Sequence, residues 1–346
     1  MRVIILAMEV SELGEFGLID LLAGMVRESR EGHPADWKGL LLGIGDDAAA
    51  WQSGTGVELA TADSFIQDVH FQAGMFPWEE VGWKALAINL SDIAAMGGVP
   101  RYALVSLALP ETTAVEDITA VYRGMIAQAE ENGVIICGGN VSRASQIVID
   151  ITVLGCAHGG EGHILTRSAA RAGDLVAVTG YLGAASAGLA VLNGEIRVKP
   201  DTASTLKEAF FHPVPRIAEG KLMLEQGIRA AIDVSDGLCS DLGHICLASG
   251  LGAHIRVDNI PVHPVVRANF PEGAAEMALA GGEDYELLFT GRIEEINRVR
   301  LGTRCPVTVI GEMTDERKGE VVLVDSSGYP FEPLRKGWQH FGITSA

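Results

Sequence analysis

Strand-like apolar segments of this sequence repeatedly end on, or lead into, carboxylate residues. The residues concerned are Asp46, Asp47, Asp63, Asp233, Asp236, Glu283 and Asp284. In an α/β fold several strand ends commonly face one crevice, and ligands bind in that crevice. Neighbouring carboxylates repel one another in a poorly solvated place unless cations neutralise them. One aspartate at a turn is usually a helix cap or a turn residue, but the whole set predicts a cation-binding cleft.

Strand-like and helix-like segments alternate along the chain in two successive blocks. In the first block, strands such as "VELATAD", "YALVSLALP" and the buried-type "VIICGG" alternate with two helical stretches that end at Gly97 and Gly133. A glycine-rich polar stretch, "HGGEGHI" at 158–164, interrupts this pattern, which restarts with "DLVAVTG". A chain of 346 residues is also long for a single core. The sequence therefore predicts two α/β domains, residues 8–157 and residues 158–346, with Met8 as a candidate start.

Composition and charge narrow the class of protein. Hydrophobic residues make up 48% of the chain, yet the apolar run near its start, "VIILAM", is far too short to span a bilayer. A formal net charge of −19 argues against nucleic-acid and anionic-membrane partners, because lysine and arginine bind phosphate backbones. The five cysteines show no CxxC spacing, which gives no zinc site and is typical of reduced thiols. We therefore expect a soluble, cytoplasmic protein.

The acidic set favours magnesium and phosphate chemistry. Carboxylate, carbonyl and hydroxyl oxygens are the ligands that Mg²⁺ prefers, and the ion commonly bridges protein carboxylates to substrate phosphates. Asn89 and Asp92 form a polar pair on one face of an otherwise apolar predicted helix, so we expect them to avoid solvent. The chain lacks a GxxxxGK[ST] loop, and "VTGYLGAASAGL" indicates either a weak dinucleotide fingerprint or a small-residue packing face. The residues alone predict a Mg²⁺-dependent enzyme acting on phosphate compounds.

Several stretches, taken in order, resemble the thiamine-monophosphate kinase family. They are "GEFGLI", "GIGDDAA", "VHF", "KALAINLSDIAAMGGVP", "LTRSAARAGD", "VTGYLGAASAGL", "IDVSDGLCSDLGHI" and "ALAGGEDYELLF", and "KGWQHF" follows near the end. The resemblance implies ATP-dependent phosphorylation of thiamine monophosphate to thiamine diphosphate. It also implies an α/β (α+β) fold of two domains, of the aminoimidazole ribonucleotide synthetase-like type. The N-terminal domains would pair in a homodimer through a shared β-barrel, and the C-terminal α/β domain would complete the ATP and thiamine sites.

The resemblance also implies roles for individual residues. The implied Mg²⁺ ligands are Asp47, Thr61, Ala62, Asp63, Asp92, Asn140, Asp233 and Asp236. The implied ATP contacts are Gly139, Asn140, Arg167 and Ser235, and the implied thiamine-monophosphate contacts are His70, Glu283 and Trp338. Ala62 has no side-chain oxygen, so any contact there comes from its backbone carbonyl. The carboxylate of Glu283 and the aromatic face of Trp338 suit a cationic thiazolium and a flat pyrimidine.

One position departs from the family pattern. The stretch "GGNVSR" carries Asn140 where the family has an aspartate that binds ATP and magnesium. An amide offers one carbonyl oxygen and no charge, so we expect a weaker ligand there. The implied reaction is a direct in-line transfer to a phosphate oxygen that is already anionic, with magnesium and positioning lowering the barrier. It requires neither a general base nor a covalent intermediate, and we expect no catalytic residue of either kind.

Two alternative functions can each be tested by a specific observation. Among sister enzymes, selenophosphate synthetase and the hydrogenase-maturation dehydratase would need a reactive cysteine near a terminus, and neither "MRVIILAMEV" nor "FGITSA" contains one. Aminoimidazole ribonucleotide synthetase would lack Trp338 and the "GGEDYEL" pocket. The second alternative is a metal-dependent nucleotide-binding protein that has lost turnover through Asn140. ATP binding without product would identify it.

Overall fold

The computed structural model describes residues 17, 19, 39–53, 56–159, 163–335 and 337–338. Within these ranges the chain forms two six-stranded mixed sheets with helices packed against them, which confirms the predicted α/β class. The outer limits of the predicted domains, at residues 8 and 346, lie outside the described residues, as do most of "GEFGLI" and of "KGWQHF". Residues 160–162 of the predicted boundary lie outside them as well. The division into residues 8–157 and 158–346 therefore stays a prediction.

The first sheet is formed by the N-terminal part of the described chain. Its strands are β1 (Leu40–Leu42), β2 (Ala49–Ser53), β3 (Gly56–Ile66), β4 (Gly98–Leu109), β5 (Ile135–Arg143) and β6 (Val148–Ala157). Their spatial order is β1-β2-β3-β6-β4-β5, and neighbours are antiparallel except for the parallel pair β4 and β5. A parallel pair needs a crossover connection, and helix α2 (Val115–Asn132) lies in the connection between these two strands.

Helix α1 (Trp78–Ala95) precedes β4 and is buried over most of its length. Glu79 and Glu80 lie in its first turn, where carboxylates stabilise the positive end of the helix dipole. Gly97 after α1 and Gly133 at the end of α2 both have φ of +67°. Glycine adopts this left-handed conformation with little strain, so the two helix ends predicted from the sequence are confirmed.

The second sheet is formed by the C-terminal part of the described chain. Its strands are β7 (Leu175–Thr179), β8 (Ala230–Asp233), β9 (Gly252–Arg256), β10 (Leu287–Gly291), β11 (Val307–Thr314) and β12 (Val321–Val324). Their order is β12-β9-β11-β7-β10-β8, with only β9 and β12 parallel. The helices are α3 (Ala184–Leu192), α4 (Pro200–Phe211), α5 (Ile217–Glu225), α6 (Leu238–Ser249), α7 (Pro264–Asn269), α8 (Ala274–Ala280) and α9 (Ile293–Gly302), and 3₁₀ turns lie at Arg167–Ala169 and Val257–Asn259. Among the helices of the described ranges, none has the combined length and hydropathy that crossing a bilayer requires.

Helix α1 connects the two sheets through polar side chains. Oγ of Ser91 donates a hydrogen bond to Oδ2 of Asp233, at the end of β8, over 2.6 Å. Two residues earlier, Oδ1 of Asn89 accepts from the backbone N–H of Asp63, on β3, over 3.1 Å. Strands from both sheets therefore meet the same helix, which brings their carboxylates into one region.

Most predicted elements are confirmed with small shifts at their ends: helix α3, for example, coincides with the stretch "AASAGLAVL". One prediction is wrong, because "VIICGG" does not form a buried strand. It belongs to β5, where Ile135 and Val141 expose 59% and 70% of their surface. Within the described residues β5 is an edge of the first sheet and has a neighbouring strand on one side only. An apolar run predicts a strand but does not reveal whether neighbours cover it.

Candidate active site

A cleft of about 1310 Å³ is lined by residues of both sheets and of helix α1. It contains every predicted metal residue except Asn140, namely Asp47, Thr61, Ala62, Asp63, Asp92, Asp233 and Asp236. Of the predicted ATP contacts it contains Arg167 and Ser235, and it contains all the predicted substrate contacts, His70, Glu283 and Trp338. The fold therefore gathers at one place residues that lie far apart in the sequence.

Three carboxylates meet in this cleft. Asp47 lies before β2, Asp92 on α1 and Asp233 at the end of β8, and one oxygen of each lies within 4.8 Å of the others. Oδ2 of Asp47 is buried and has no hydrogen-bond partner among the residues that the structure describes. Buried polar atoms normally have partners, so an unpartnered oxygen beside two further carboxylates fits a cation. The all-oxygen donor set suits a hard ion such as Mg²⁺.

Burial makes negative charge unfavourable in this triad of carboxylates. Burial and the nearby Asp47 raise the pKa of Asp233 to about 7. Burial, followed by the charges of Asp63 and Asp233, raises the pKa of Asp92 well above its usual value. Beside the triad, burial and Asp47 raise the pKa of Asp46 to about 6. The cluster therefore retains protons near neutral pH, and a bound cation would replace them.

Polar side chains hold the carboxylates in fixed orientations. Oγ1 of Thr61 donates to Oδ2 of Asp92 over 2.6 Å, and Asn89 accepts from the N–H of Asp63. Asn89 and Asp92 thus both face β3, which confirms the prediction that this polar pair avoids solvent. Hydrogen bonds of this kind orient ligand oxygens before a metal binds.

The adjacent acids Asp46 and Asp47 are held by an arginine. An Nη atom of Arg167 donates to Oδ1 of Asp47 over 2.5 Å, and its backbone N–H donates to Oδ2 of Asp46 over 3.3 Å. Burial lowers the pKa of Arg167, but the carboxylates raise it by more, so the guanidinium stays charged. The sequence predicted Arg167 as an ATP contact. The structure adds that this arginine offsets the negative charge of the acidic pair.

The turn between β8 and α6 holds two of the three predicted substrate residues, Glu283 and Trp338. The N–H of Glu283 donates to the carbonyl of Ser235 over 2.7 Å, and the N–H of Trp338 donates to the carbonyl of Asp236 over 3.0 Å. Glu283 and Tyr285 have φ of +65° and +49°, a conformation that residues other than glycine rarely adopt. Such strain persists only where surrounding contacts fix the backbone, and it is common at functional sites.

His70 lies shortly after β3 with its ring fixed on both sides. Its Nδ1 accepts from the N–H of Ile66 over 3.0 Å, and its ring stacks on Phe65 with centroids 5.5 Å apart. Because Nδ1 accepts, the proton of the neutral ring is on Nε2. An Nε2–H donor on a residue that lines the cleft suits a phosphate oxygen.

Gly139 and Asn140 do not line the cleft of their own chain. They lie on β5, where Asn140 pairs with Ser106 of β4. Three strand spacings, roughly 14 Å in all, separate β5 from β3 in the first sheet. The structure therefore does not bring these two residues together with the other predicted site residues, and their roles stay predictions.

The glycine-rich start of α3 is a packing feature, the second of the two readings that the sequence left open. Asp284 accepts from the N–H groups of Gly183 and Ala185 over 2.8 and 3.3 Å, so a carboxylate already caps this helix. Burial raises the pKa of Asp284 to about 7, although these hydrogen bonds lower it. Gly180 has φ of +59°, and a Cβ there would lie 1.9 Å from Oε1 of Glu286, so a residue with a side chain would be strained at this position.

Sequence reasoning missed Lys84, Ser91 and Tyr285, which all contribute to the site. Lys84 and Ser91 are buried and seven residues apart, hence on one face of α1. They pair with Glu283 and Asp233, respectively. Polar residues at this spacing in an apolar helix are the signal that could have found them. Tyr285 gave no such signal, because its unusual backbone conformation depends on the surrounding fold.

Two family models match this chain. The model of AIR synthase related protein, N-terminal domain, matches residues 45–157, and the model of its C-terminal domain matches residues 171–324. The first range contains Asp47 and Asp92, and the second contains Asp233, so the carboxylate triad is drawn from both. The fold and the cleft define a two-domain protein of the AIR synthase related class.

Individual relatives narrow this class. Thiamine-monophosphate kinase of Bacillus subtilis (strain 168) is 38% identical over 313 residues, which cover 87% of this chain and 93% of the relative. Thiamine-monophosphate kinase of Aquifex aeolicus (strain VF5) is 35% identical over 337 residues, or 96% and 100% of the two chains. A solved structure named "AaThiL complexed with AMPPCP and TMP" is 33% identical, with a TM-score of 0.83 over 96% of this chain and 99% of that one. The chain belongs to the thiamine-monophosphate kinase family, as its sequence motifs predicted.

Proposed function

We propose that this protein transfers the γ-phosphoryl group of ATP to the phosphate of thiamine monophosphate and thereby forms thiamine diphosphate. The observation that carries the proposal is the buried carboxylate triad Asp47, Asp92 and Asp233 in the cleft. Two phosphate anions repel each other, and a cleft lined by carboxylates accepts them only together with cations. The names of the relatives support the reaction, and a solved relative that holds AMPPCP, an ATP analogue, supports ATP as the donor.

Magnesium fits the residues of the cleft. Asp47, Asp92 and Asp233 would hold it, and Asp63 and Asp236, which also line the cleft, would be further carboxylate ligands. When bound, the ion would neutralise phosphate charge and polarise the phosphoryl oxygens. This proposal accounts for the unpartnered oxygen of Asp47 and for the raised pKa of Asp233.

Two residues of β3 would add neutral ligands to this set. The hydroxyl of Thr61 donates its proton to Asp92 and keeps lone pairs that face the cleft region. Ala62 can offer only its backbone carbonyl. The consecutive residues Thr61, Ala62 and Asp63 would thus supply a hydroxyl, a carbonyl and a carboxylate oxygen from one short stretch of strand.

The chain's own side chains orient the two reactants. The acceptor phosphate is an anion at neutral pH, so it attacks without a general base. His70 would donate its Nε2–H to that phosphate. Arg167 is anchored on Asp47 by one Nη atom, and the other Nη atom of its guanidinium would donate to a phosphate of ATP. Ser235 lies beside Asp233 and would contact the same nucleotide.

A homodimer would explain why apolar side chains are exposed on β4 and on the edge strand β5. Exposed apolar side chains on β4 and β5 are Tyr102, Leu104, Ile135 and Val141. An edge strand with exposed apolar residues is a usual site of strand pairing with another chain. We propose that a second copy covers this edge in a shared β-barrel, and that Gly139 and Asn140 contact ATP in that assembly.

The cellular location is proposed on chemical grounds. All five cysteines are free thiols, although Cys137 is exposed. Free thiols are typical of a reducing compartment, which supports the cytoplasm. The net charge of −19 supports the absence of nucleic-acid partners.

The test is a reaction of purified protein with ATP, MgCl₂ and thiamine monophosphate, followed by chromatography. We expect thiamine diphosphate and ADP in equal amounts, and neither product when EDTA removes the metal. ADP without thiamine diphosphate would indicate an ATPase. ATP binding without either product would favour the alternative of a nucleotide-binding protein that has lost turnover.

A further inference from the structure

Lys84 is a buried cation beside the cleft, and the proposed mechanism leaves it without a role. Its side chain is only 2% exposed, and its Nζ lies 2.5 Å from Oε2 of Glu283. The same Nζ donates to the carbonyl of Phe210 over 2.8 Å and lies 3.3 Å from the centroid of the Phe210 ring. A lysine is rarely buried unless its charge is paired, and here one carboxylate, one carbonyl and one aromatic face surround the ammonium.

The contacts of Lys84 join separate parts of the fold. Lys84 lies on α1, Phe210 lies in the last turn of α4, and Glu283 lies in the loop after α8. Phe210 and Glu283 both line the cleft, whereas Lys84 lies behind them. Lys84 therefore acts on the cleft through Glu283 and Phe210.

The conformation of Glu283 depends on contacts with surrounding residues. Its φ of +65° is unfavourable for a residue with a side chain. Its backbone is held by the hydrogen bond to Ser235, and the next residue, Asp284, caps α3. Its side chain is 32% exposed in the cleft and is held by Lys84. Removal of Lys84 would therefore release the carboxylate while the loop backbone keeps its own contacts.

We propose that Lys84 is a positioning residue for substrate binding, and that it holds the Glu283 carboxylate as a fixed hydrogen-bond acceptor for an N–H donor of the substrate. This inference rests on the proposed function, in which the substrate is thiamine monophosphate. The pyrimidine ring of that substrate carries an amino group, which is such a donor. Burial lowers the pKa of Lys84 and the contact with Glu283 raises it, so the ammonium depends on this carboxylate. The paired carboxylate then offers the substrate an acceptor rather than a net negative charge. The amino group, more than the cationic thiazolium, is therefore the group that Glu283 recognises.

The test is a double-mutant cycle with Lys84→Met, Glu283→Gln and both changes together, in which kcat and KM are measured for each substrate. We expect Lys84→Met to raise the KM for thiamine monophosphate about tenfold, and to change the KM for ATP less than about twofold. In the Glu283→Gln background the same change should have little further effect, because the residue through which Lys84 acts has already been altered. Lys318→Met, which removes an exposed lysine, is the matched control.

Other outcomes would overturn the inference in distinct ways. Additive effects of the two changes, or equal losses for ATP and thiamine monophosphate, would show that Lys84 supports the fold in general. If Lys84→Met does not fold, Lys84→Gln keeps a donor for the Phe210 carbonyl and takes its place in the cycle. Absence of thiamine diphosphate from the wild-type reaction would instead overturn the proposed function, and the substrate named here with it.

A substrate analogue gives a second readout that a purely structural role would not change. Oxythiamine monophosphate carries an oxygen in place of the amino group of the pyrimidine. The wild type should prefer thiamine monophosphate by about tenfold or more in kcat/KM, since a buried acceptor left without its donor is unfavourable. Both Lys84→Met and Glu283→Gln should reduce this preference. An unchanged preference in Lys84→Met would overturn the inference.

Discussion

An Nη atom of Arg167 lies 2.5 Å from Oδ1 of Asp47, and both side chains are largely buried. The charges of Asp46 and Asp233 also act on this guanidinium. The single charge of Arg167 thus faces three carboxylates, those of Asp46, Asp47 and Asp233, and the cluster keeps an excess of negative charge. The excess explains why the site suits additional cations and why its aspartates retain protons in their absence.

Arg167→Met should destabilise the metal-free protein. The change leaves Asp47 as a buried carboxylate without its cation, and breaking such a pair typically costs about 3 kcal/mol or more. Addition of MgCl₂ should restore part of the loss, because it supplies positive charge at the same carboxylates. Thermal unfolding in EDTA and in MgCl₂ measures both effects. Arg256→Met, at an exposed position, is the control, and an equal fall of Tm in the two variants would refute the explanation.

Asp92→Asn should abolish turnover and leave the fold intact. Asp92 is one of the triad, and its carboxylate is held by Thr61 through a hydrogen bond that an amide oxygen can also accept. We expect kcat to fall by about a thousandfold, since the proposed catalysis requires the negative charge of Asp92 to hold the metal. In EDTA the Tm should exceed that of the wild type increasingly as the pH rises, because the raised pKa of Asp92 disfavours its charged form and the amide cannot ionise. Activity assays and melting curves test this, with Asp315→Asn at an exposed turn as the control. Normal turnover in Asp92→Asn would rule out the metal assignment.

Asp284 should make folding stability depend on pH. Burial raises its pKa from 3.8 to about 7 in the folded protein, so the folded state binds the proton more tightly than the unfolded state. Its stabilising contribution is complete below about pH 4 and is lost as the pH rises to about 7, at up to about 1.4 kcal/mol per pH unit. Asp284→Asn should therefore lose less stability than the wild type between pH 5 and pH 8. Urea unfolding in EDTA at the two pH values measures the free energy of unfolding of each protein. Equal losses in the wild type and in Asp284→Asn would contradict the prediction.

Val141→Asp should disrupt the proposed dimer. Val141 exposes 70% of its surface on the edge strand β5, and a carboxylate there would be buried unpaired in a shared barrel. We expect a monomer by analytical ultracentrifugation, with an unchanged circular dichroism spectrum and a large loss of activity. Leu301→Asp, at a position that is 87% exposed on α9, should remain dimeric and active. A wild type that is monomeric at assay concentrations would contradict the proposal directly.

Asn140→Asp should strengthen the binding of the nucleotide. A carboxylate adds a charged oxygen ligand at the position to which the family resemblance assigns contacts with ATP and magnesium. We expect the KM for ATP to fall severalfold in MgCl₂, while the KM for thiamine monophosphate stays the same. Ser142→Ala on the same strand serves as the comparison. If the wild type forms no product and Asn140→Asp does, the wild type is a binding protein that has lost turnover.

The convergence of the carboxylates could be predicted from the sequence. Asp47 and Asp233 each follow a strand-like stretch, and Asp92 stands on the polar face of an apolar helix. These are local signals, because strand ends and helix faces are fixed by the residues around them. Asp63, expected at the end of a strand, instead lies within β3, which continues to Ile66. The motifs then narrowed the prediction from magnesium and phosphate chemistry to one family.

Long-range pairing could not be predicted. The contacts of Arg167 with Asp47 and of Lys84 with Glu283 join residues that only the folded chain brings together. The exposure of β5 depends on which strands flank it, and an apolar sequence is compatible with an edge or an interior position. The left-handed backbone of Glu283 likewise depends on surrounding contacts. Each of these features is a property of the tertiary structure.

Transfer of labelled phosphate tests the central claim most directly. The protein is incubated with ATP labelled at the γ-phosphate, MgCl₂ and thiamine monophosphate, and the products are separated. The account predicts that the label appears in thiamine diphosphate with the wild type, and that Asp92→Asn leaves it in ATP. Label that appears only in inorganic phosphate, or that is transferred equally well by Asp92→Asn, would contradict it.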